Sequence, residues 1–297
     1  LELERYVRET GDMRLREAFR KRVTDVLAFY RAHLNADGLY EHDPKTGKIF
    51  FEWSGAARFA HGVHYPTSML LAETIDAVAR LYGQEGLKVE ADRIRAAVRR
   101  LSWDGRWFRD HSVRRPDGTL ETPRDVSETC QYFAFRFGVA TPATHPDLWK
   151  RLVEGFGRGR TMDGLAAADL FTGVLLRYDC LARAGLHAKA LEGIRELDDM
   201  VRSTGTYWEK LPGEYGYSCE QGFMSFIANF LVRSAAGLGN IDYAAKRVRF
   251  AVPDNGLDFC RATLPTPDGP IRCEWSRTNG RVSERLDLPA GWRTSDR

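Results

Sequence analysis

The residues best suited to chemistry in this chain are carboxylates set beside tryptophans. Thr204-Gly-Thr-Tyr-Trp-Glu-Lys210 is the strongest such stretch. Its Gly-Thr turn follows a helical segment and puts Trp208 next to Glu209. An indole can cover the apolar face of a sugar ring, and a carboxylate can bind hydroxyls or take a proton from water. The same residues also fit a Trp that plugs the end of a helical array beside a solvent-facing Glu. Phe50-Phe-Glu-Trp53 repeats the pairing and delivers Glu52 and Trp53 into a long loop. His61 and His64 follow at helical spacing and can face one way. No third ligand lies near them, which argues against a metal site. Sugar-hydroxyl contacts or helix-start hydrogen bonds suit them better. Ser102-Trp-Asp-Gly-Arg-Trp-Phe-Arg-Asp110 gathers Trp103, Asp104, Trp107 and Asp110 into one turn-rich loop. That loop reads either as a ligand surface or as a structural hairpin tip. Ser218-Cys-Glu-Gln-Gly222 opens the last helix. Glu220 there also suits the positive end of the helix dipole, and Gln221 stands beside it.

These motifs need elements to hold them, and most of the chain repeats apolar residues at helical spacing. Leu15, Phe19, Val23, Val26, Tyr30 and Leu34 make one stripe, stopped by Asn35-Ala-Asp-Gly38. Met69 to Leu81 makes a second, ended by Gly83, and Leu87 to Leu101 a third. Val126 to Phe137 is a fourth, ended by Gly138. Leu148 to Phe156, Leu165 to Ala184, Ala188 to Val201 and Phe223 to Ala236 follow. The pattern predicts about eight helices in sequential pairs, an (α/α) hairpin array with its longer loops gathered at one end. Those loops, 35–64, 102–125 and 202–221, carry the Trp, His, Asp and Glu residues above, and they converge if the hairpins close into a barrel. A six-hairpin barrel needs about twelve helices, so the array reads as incomplete at its N-terminal side. After Gly239 the period changes to two. Val248 to Val252, Leu257 to Leu264, Ile271 to Trp275 and Arg281 to Leu288 are strand candidates. Asp268-Gly269 and Asn279-Gly280 are hairpin turn signals. The expected domains are therefore a hairpin barrel over 1–240 and a small antiparallel β-module of three or four strands over 241–297, itself partial.

Bulk properties narrow the classes. The chain has 297 residues, 43% of them hydrophobic and 29% charged, with a formal net charge of +3. That composition suits a globular protein whose core needs no staples. The basic pairs Arg99-Arg100 and Arg114-Arg115 are too short to track a nucleic-acid backbone, and no stretch is long and apolar enough to span a membrane. The five cysteines, Cys130, Cys180, Cys219, Cys260 and Cys273, include no Cys-x-x-Cys pair, so no zinc site is expected and no cofactor is implied. They read as reduced thiols, which favours the cytoplasm, with Cys260 and Cys273 left as strand neighbours able to pair. The chain starts Leu-Glu-Leu-Glu-Arg-Tyr, directly in helical sequence, which reads as a fragment of a longer protein. Nucleophile elbow, phosphate loop and dinucleotide fingerprint are all absent.

The order of the motifs resembles the α-L-rhamnosidases of glycoside hydrolase family 78 over nearly the whole chain. Tyr6-Val-Arg-Glu-Thr-Gly-Asp12 resembles the opening of a barrel helix that follows the family's acidic motif. Phe50-Phe-Glu-Trp53 resembles its Phe-Ile-Asp-Trp loop, with Glu for Asp. Trp103 to Asp110 and Ser127-Glu-Thr-Cys-Gln131 resemble later barrel loops and helix starts. Gly205-Thr-Tyr-Trp-Glu209 resembles its Thr-x-Trp-Glu element, and the strands after Ile241 resemble the start of its C-terminal β-domain. The resemblance implies a six-hairpin barrel and an inverting hydrolysis with Glu209 as general base. It implies a carbohydrate substrate contacted by Glu52, Trp53, His61, His64, Trp103, Asp110, Trp208, Glu220 and Gln221. The family's general acid belongs to a segment that finds no match here, with Glu52 the nearest substitute, and the family's His after Trp-Glu is matched by Gln221. A non-catalytic carbohydrate-binding relic and a polysaccharide lyase on a similar barrel remain open as rival readings.

Overall fold

The computed structural model describes residues 1–157, 162, 164–210, 218–220 and 222–295. Two compact units divide the chain: Leu1–Glu4 with Met13–Arg177, and Arg5–Asp12 with Tyr178–Arg297. α1 (Glu2–Thr10) runs across that division.

In the first unit the stripe from Leu15 to Leu34 forms two helices, α2 (Arg14–Ala18) and α3 (Arg20–Ala32), broken at Phe19. α4 (Tyr65–Tyr82) and α5 (Gly86–Ser102) make the principal hairpin. His64 opens α4 as its cap, with Pro66 in the first turn where a missing N–H costs nothing. Gly83 closes α4 at φ 66°, a left-handed position suited to glycine. Met69, Ala72 and Ile75 of α4 and Ala91, Ile94 and Val98 of α5 are buried, each large side chain among them contributing about 1.5–3 kcal/mol. Arg95 is buried in the same unit, where its guanidinium pairs with Asp76 at 2.6 Å and donates to the Phe137 carbonyl at 2.8 Å. α6 (Glu128–Arg136) and α7 (Pro146–Glu154) follow. A small sheet escaped the sequence reading: β1 (Val63–His64), β2 (His111–Arg114) and β3 (Leu120–Glu121), paired antiparallel in that order. Its strands are too short to show alternation.

Two expected helix starts shift for one reason. Ala166 N–H donates to Val126 C=O at 2.9 Å and Glu128 N–H donates to Ala166 C=O at 2.9 Å. This bridge holds Val126 and Leu165–Ala168 extended, so α6 starts two residues late. The next helical stretch starts only at Leu170. It opens with a wide π-type turn, Leu170–Val174, in which Val174 N–H reaches the Asp169 carbonyl at 3.1 Å. α8 (Leu175–Arg183) continues from it.

In the second unit the stripe from Ala188 to Val201 splits into α9 (His187–Arg195) and α10 (Asp198–Thr204). Leu197 turns its amide to the Ile194 carbonyl at 3.1 Å, a tighter i→i+3 bond that ends α9. Phe223 to Ala236 is likewise mixed, with α11 (Ile227–Phe230) between a 3₁₀ and a π segment. The β-module has more strands than expected. β4 (Leu238–Asp242), β5 (Arg247–Phe250) and β9 (Arg293–Thr294) form one sheet, with β5 and β9 parallel. β6 (Phe259–Leu264), β7 (Ile271–Thr278) and β8 (Arg281–Asp287) form an antiparallel meander. Asn279 and Gly280, at φ 51° and 75°, make the expected tight turn between β7 and β8. Ala236, Leu238, Val248, Ile271, Cys273 and Trp292 are the buried core of the module. Cys260 faces Trp275 and Cys273 faces Ala262 across adjoining strands, and both thiols are free. The disulfide left open by the sequence is not formed.

Candidate functional site

In the second unit the Trp-Glu element sits where α10 ends. Gly205 closes α10 at φ 77° and ψ 3°, a conformation that costs other residues a Cβ clash, and its N–H reaches the Val201 carbonyl at 2.6 Å. The chain then turns so that the Trp208 indole N–H donates to the Thr204 hydroxyl at 2.7 Å. Thr204 in turn donates to the Met200 carbonyl at 3.2 Å, so the indole is tied to the last turn of α10. Glu209 N–H donates to the Ser218 carbonyl at 3.0 Å, and the Thr206 hydroxyl donates to the Cys219 carbonyl. The carboxylate is therefore carried on a backbone fixed to a second stretch of chain. Glu209 and Trp208 are half-buried, and Glu220 is exposed. A fixed carboxylate adjoining a pinned indole has the parts to seat a pyranose face and to activate water. Gln221 lies outside the described residues.

In the first unit the Phe50–Trp53 loop presents aromatic rings over a buried acid. Phe50, Trp53 and Phe171 are 47%, 38% and 36% exposed. The ring of Phe50 stands edge-on to those of Trp53 and Phe171, with centroids 4.7 and 5.1 Å apart. Glu52, expected as a sugar contact or substitute acid, has no exposed surface. It accepts hydrogen bonds from the Thr129 hydroxyl, the Trp53 amide at 3.3 Å and the Asp169 backbone. Burial, reinforced by the charge of Asp169, pushes its carboxyl up to about 8. Glu52 thus cannot reach a leaving oxygen, and it anchors the loop.

Asp110 and His64, also expected as sugar contacts, are likewise buried. Asp110 is fully buried and accepts from Ser127 twice, hydroxyl at 2.6 Å and amide at 2.7 Å. Ser127 in turn caps α6 by accepting from Cys130 N–H at 3.0 Å. Burial pushes Asp110 up to about 7. His64 Nδ1 lies 2.8 Å from the Thr67 hydroxyl at the start of α4, its buried Nε2 has no partner among the described residues, and burial lowers its pKa to about 3. His61 is exposed and its ring lies 4.1 Å from that of buried His111, which Asp125 approaches at 3.9 Å. Of the histidines expected to meet a ligand, only His61 is accessible. Among the described residues no group of three or more His, Cys, Asp or Glu is disposed to hold a metal ion.

The 102–110 loop closes on itself through its own hydrogen bonds, with Trp103 left half-buried. Asp104 accepts from the Arg106 and Trp107 amides at 2.8 and 2.7 Å, and Gln131 of α6 clamps both backbone groups of Phe108. Trp103 is half-buried, 4.8 Å from Phe108 and 4.7 Å from His145. Sequence reasoning missed Glu128, Thr129, Asp169, Gly173, Phe171 and His111. Glu128 is buried, accepts from Tyr132 at 3.0 Å, and burial pushes it up to about 7. Polar residues inside the apolar stripe at 128–131 were the available signal, while His111 carried none.

Residues 237–295 match the family described as bacterial alpha-L-rhamnosidase C-terminal domain. No curated protein matches the chain in sequence. Among solved structures, a family 78 rhamnosidase of Bacillus sp. GL1 superposes with a TM-score of 0.82 at 20% identity, over 98% of this chain and 31% of its own. The α-L-rhamnosidase from Dictyoglumus thermophilum gives 0.69 at 14% identity, over 97% of this chain and 33% of its own. The Streptomyces avermitilis α-L-rhamnosidase, solved with L-rhamnose, gives 0.67 at 16% identity, over 97% and 28%. The chain therefore spans about a third of the length of these relatives. It is similar to a C-terminal region of the family 78 α-L-rhamnosidases, in fold along its length and by family over residues 237–295.

Proposed function

We propose that this chain is the base-bearing part of an inverting α-L-rhamnosidase, with Glu209 as the general base. The observation that carries the reading is the Trp208–Glu209 turn, held by Thr204 and Ser218 in the unit that also holds the rhamnosidase C-terminal domain. Glu209 takes a proton from water as the water attacks the anomeric carbon, opposite the departing oxygen. A carboxylic acid on the other face protonates that oxygen, and no residue of this chain is assigned that part. Trp208 covers the apolar face of the sugar, and Glu220 and Gln221 serve its hydroxyls. Trp53, His61 and Trp103 are candidates for carbohydrate contact within the first unit taken by itself. The helices belong to a six-hairpin barrel over 1–240, followed by the β-module over 241–297. The α4–α5 hairpin and the fold likeness to family 78 support the barrel, and the start of the family match at residue 237 supports that division.

The test is hydrolysis of 4-nitrophenyl α-L-rhamnopyranoside by the enzyme and its Glu209→Gln variant. Loss of a general base lowers kcat by about 10²- to 10⁴-fold, with circular dichroism unchanged and the first-formed sugar of inverted configuration by NMR. Unchanged turnover in the variant, or retained configuration, refutes the assignment.

A further inference from the structure

We propose that Glu52 is a positioning residue whose buried carboxyl clamps the Phe50–Trp53 loop to α6 and to the turn carrying Phe171, so that three exposed rings form one ligand-facing surface. The proposal rests on the reading of Trp53 as a sugar-facing ring. Among the described residues, the hydrogen bonds of Glu52 join three places in the first unit: its own loop, α6 and the turn before Phe171. The Trp53 amide donates to Oε1 at 3.3 Å. The Thr129 hydroxyl, on α6, donates to Oε2. The Asp169 backbone bonds the same carboxyl two residues before Phe171. Gly173 closes the fourth side, for a methyl there would lie 2.6 Å from Oε2. No space is left for a ligand atom at the carboxyl, whereas the rings it anchors are open to solvent.

Burial first, and then the charge of Asp169, keep this clamp in its neutral form. Asp169 faces it from the turn before α8. Glu128, on α6, is bonded by Tyr132 and by the Ala168 amide, and the attraction of Arg177 of α8 acts on Glu128. The clamp is therefore a carboxylic acid at neutral pH, held there first by burial. An opened loop hands that carboxyl to water, where it ionises near 4.5. Opening then releases one proton between 4.5 and about 8. The opening equilibrium should rise about tenfold per pH unit across that window and level off above it.

Hydrogen exchange of the amides of residues 50–53, corrected for intrinsic rates, reads this directly from about pH 5 to about pH 9. The wild type should lose protection with the one-proton slope. Glu52→Gln, a neutral isostere, should keep protection and lose the slope, and Glu52→Asp should lose protection. The same slope in Glu52→Gln, or protection in it as poor as in Glu52→Asp, overturns the clamp. Calorimetric titration with L-rhamnose reads the surface: the Gln variant should restore affinity that the Asp variant loses. A wild type that binds no L-rhamnose yet shows the Glu52-dependent slope removes the sugar reading and supports the clamp. A slope independent of Glu52 removes the clamp whatever the sugar result.

Discussion

Replacing Gly173 by Ala adds one methyl at a crowded point of the first unit. Its Cβ would lie 2.4 Å from the Thr129 hydroxyl oxygen, 2.5 Å from Ala168 Cβ and 2.6 Å from Glu52 Oε2. Carbon contacts settle at about 3.5–4.0 Å, so every neighbour must retreat by about 1 Å. Two of the three cannot do so freely. Thr129 sits on α6, and Ala168 is held by its amide bond to Glu128 at 3.3 Å. Forced methyls in packed interiors cost about 1–3 kcal/mol. Displacing the Thr129 hydroxyl from the buried Glu52 carboxyl adds about 1–3 kcal/mol. The helix preference of Ala over Gly returns at most about 1 kcal/mol. The net is a destabilisation of about 2–4 kcal/mol, a fall in Tm of roughly 5–15 °C for a unit of this size. Thermal unfolding by circular dichroism measures it, with Gly86→Ala as control, because Gly86 has open space and an ordinary backbone. Thr129→Ala should relieve part of the clash, so the double-mutant cycle should show coupling of at least about 0.5 kcal/mol. A Gly173→Ala variant within about 0.5 kcal/mol of wild type, the range of ordinary surface changes, refutes the packing described around Glu52.

Two further outcomes are expected. Stability should peak between two opposed pH limbs. Glu52, Asp110 and Glu128 are raised to about 8, 7 and 7, so their neutral forms stabilise the fold below about 4, and this stabilisation is lost as pH rises towards 7–8. His64 and His111 are lowered to about 3 and 4, so their contribution is present above 6.5 and lost as pH falls towards 4 and 3. Urea unfolding across this range should show both limbs, and a flat profile would contradict the burial of these groups. Ser127→Ala removes the cap of α6 and the hydroxyl donor to Asp110, leaving the amide of the same residue on that buried carboxyl. The cap is worth about 1 kcal/mol and the lost bond to the buried carboxyl about 1–3 kcal/mol more. Equilibrium unfolding should therefore show a loss above about 2 kcal/mol, and a loss no larger than that of an exposed cap would separate Asp110 from the start of α6.

The elements that could be read from sequence were those whose signal is local. α4 and α5 follow their apolar stripes to within a few residues, because both ends carry their own punctuation, Pro66 and Gly83 for α4. β6, β7 and β8 followed from alternation and from Asn279-Gly280. What failed was set by distant partners. Leu165–Ala168 has a helical stripe, yet it pairs with Val126 and Glu128, some forty residues away in sequence. β4 contains Gly239 and Asn240, the latter at φ 46°, so its pairing with β5 shifts register and its alternation is lost.

The site residues divide along the same line, and three of those expected to face a sugar are buried. Glu52, His64 and Asp110 have the residue types of a sugar pocket, but a buried loop anchor needs those types too. A carboxylate can accept two or three backbone or hydroxyl donors out of water, and a neutral imidazole can accept one at a helix start. What separates the roles is the destination of the partner. Asp110 ends on Ser127 and His64 on Thr67, each at a helix start, and Glu52 ends on the amide of its own neighbour Trp53. Trp208 and Glu209 differ in kind. Their backbone and the indole N–H are tied down, and both side chains keep part of their surface in solvent, where Glu52 keeps none. A carboxylate on a held backbone that solvent can still reach has the access that a reaction with water needs, and on that ground Glu209 is a stronger catalytic candidate than Glu52.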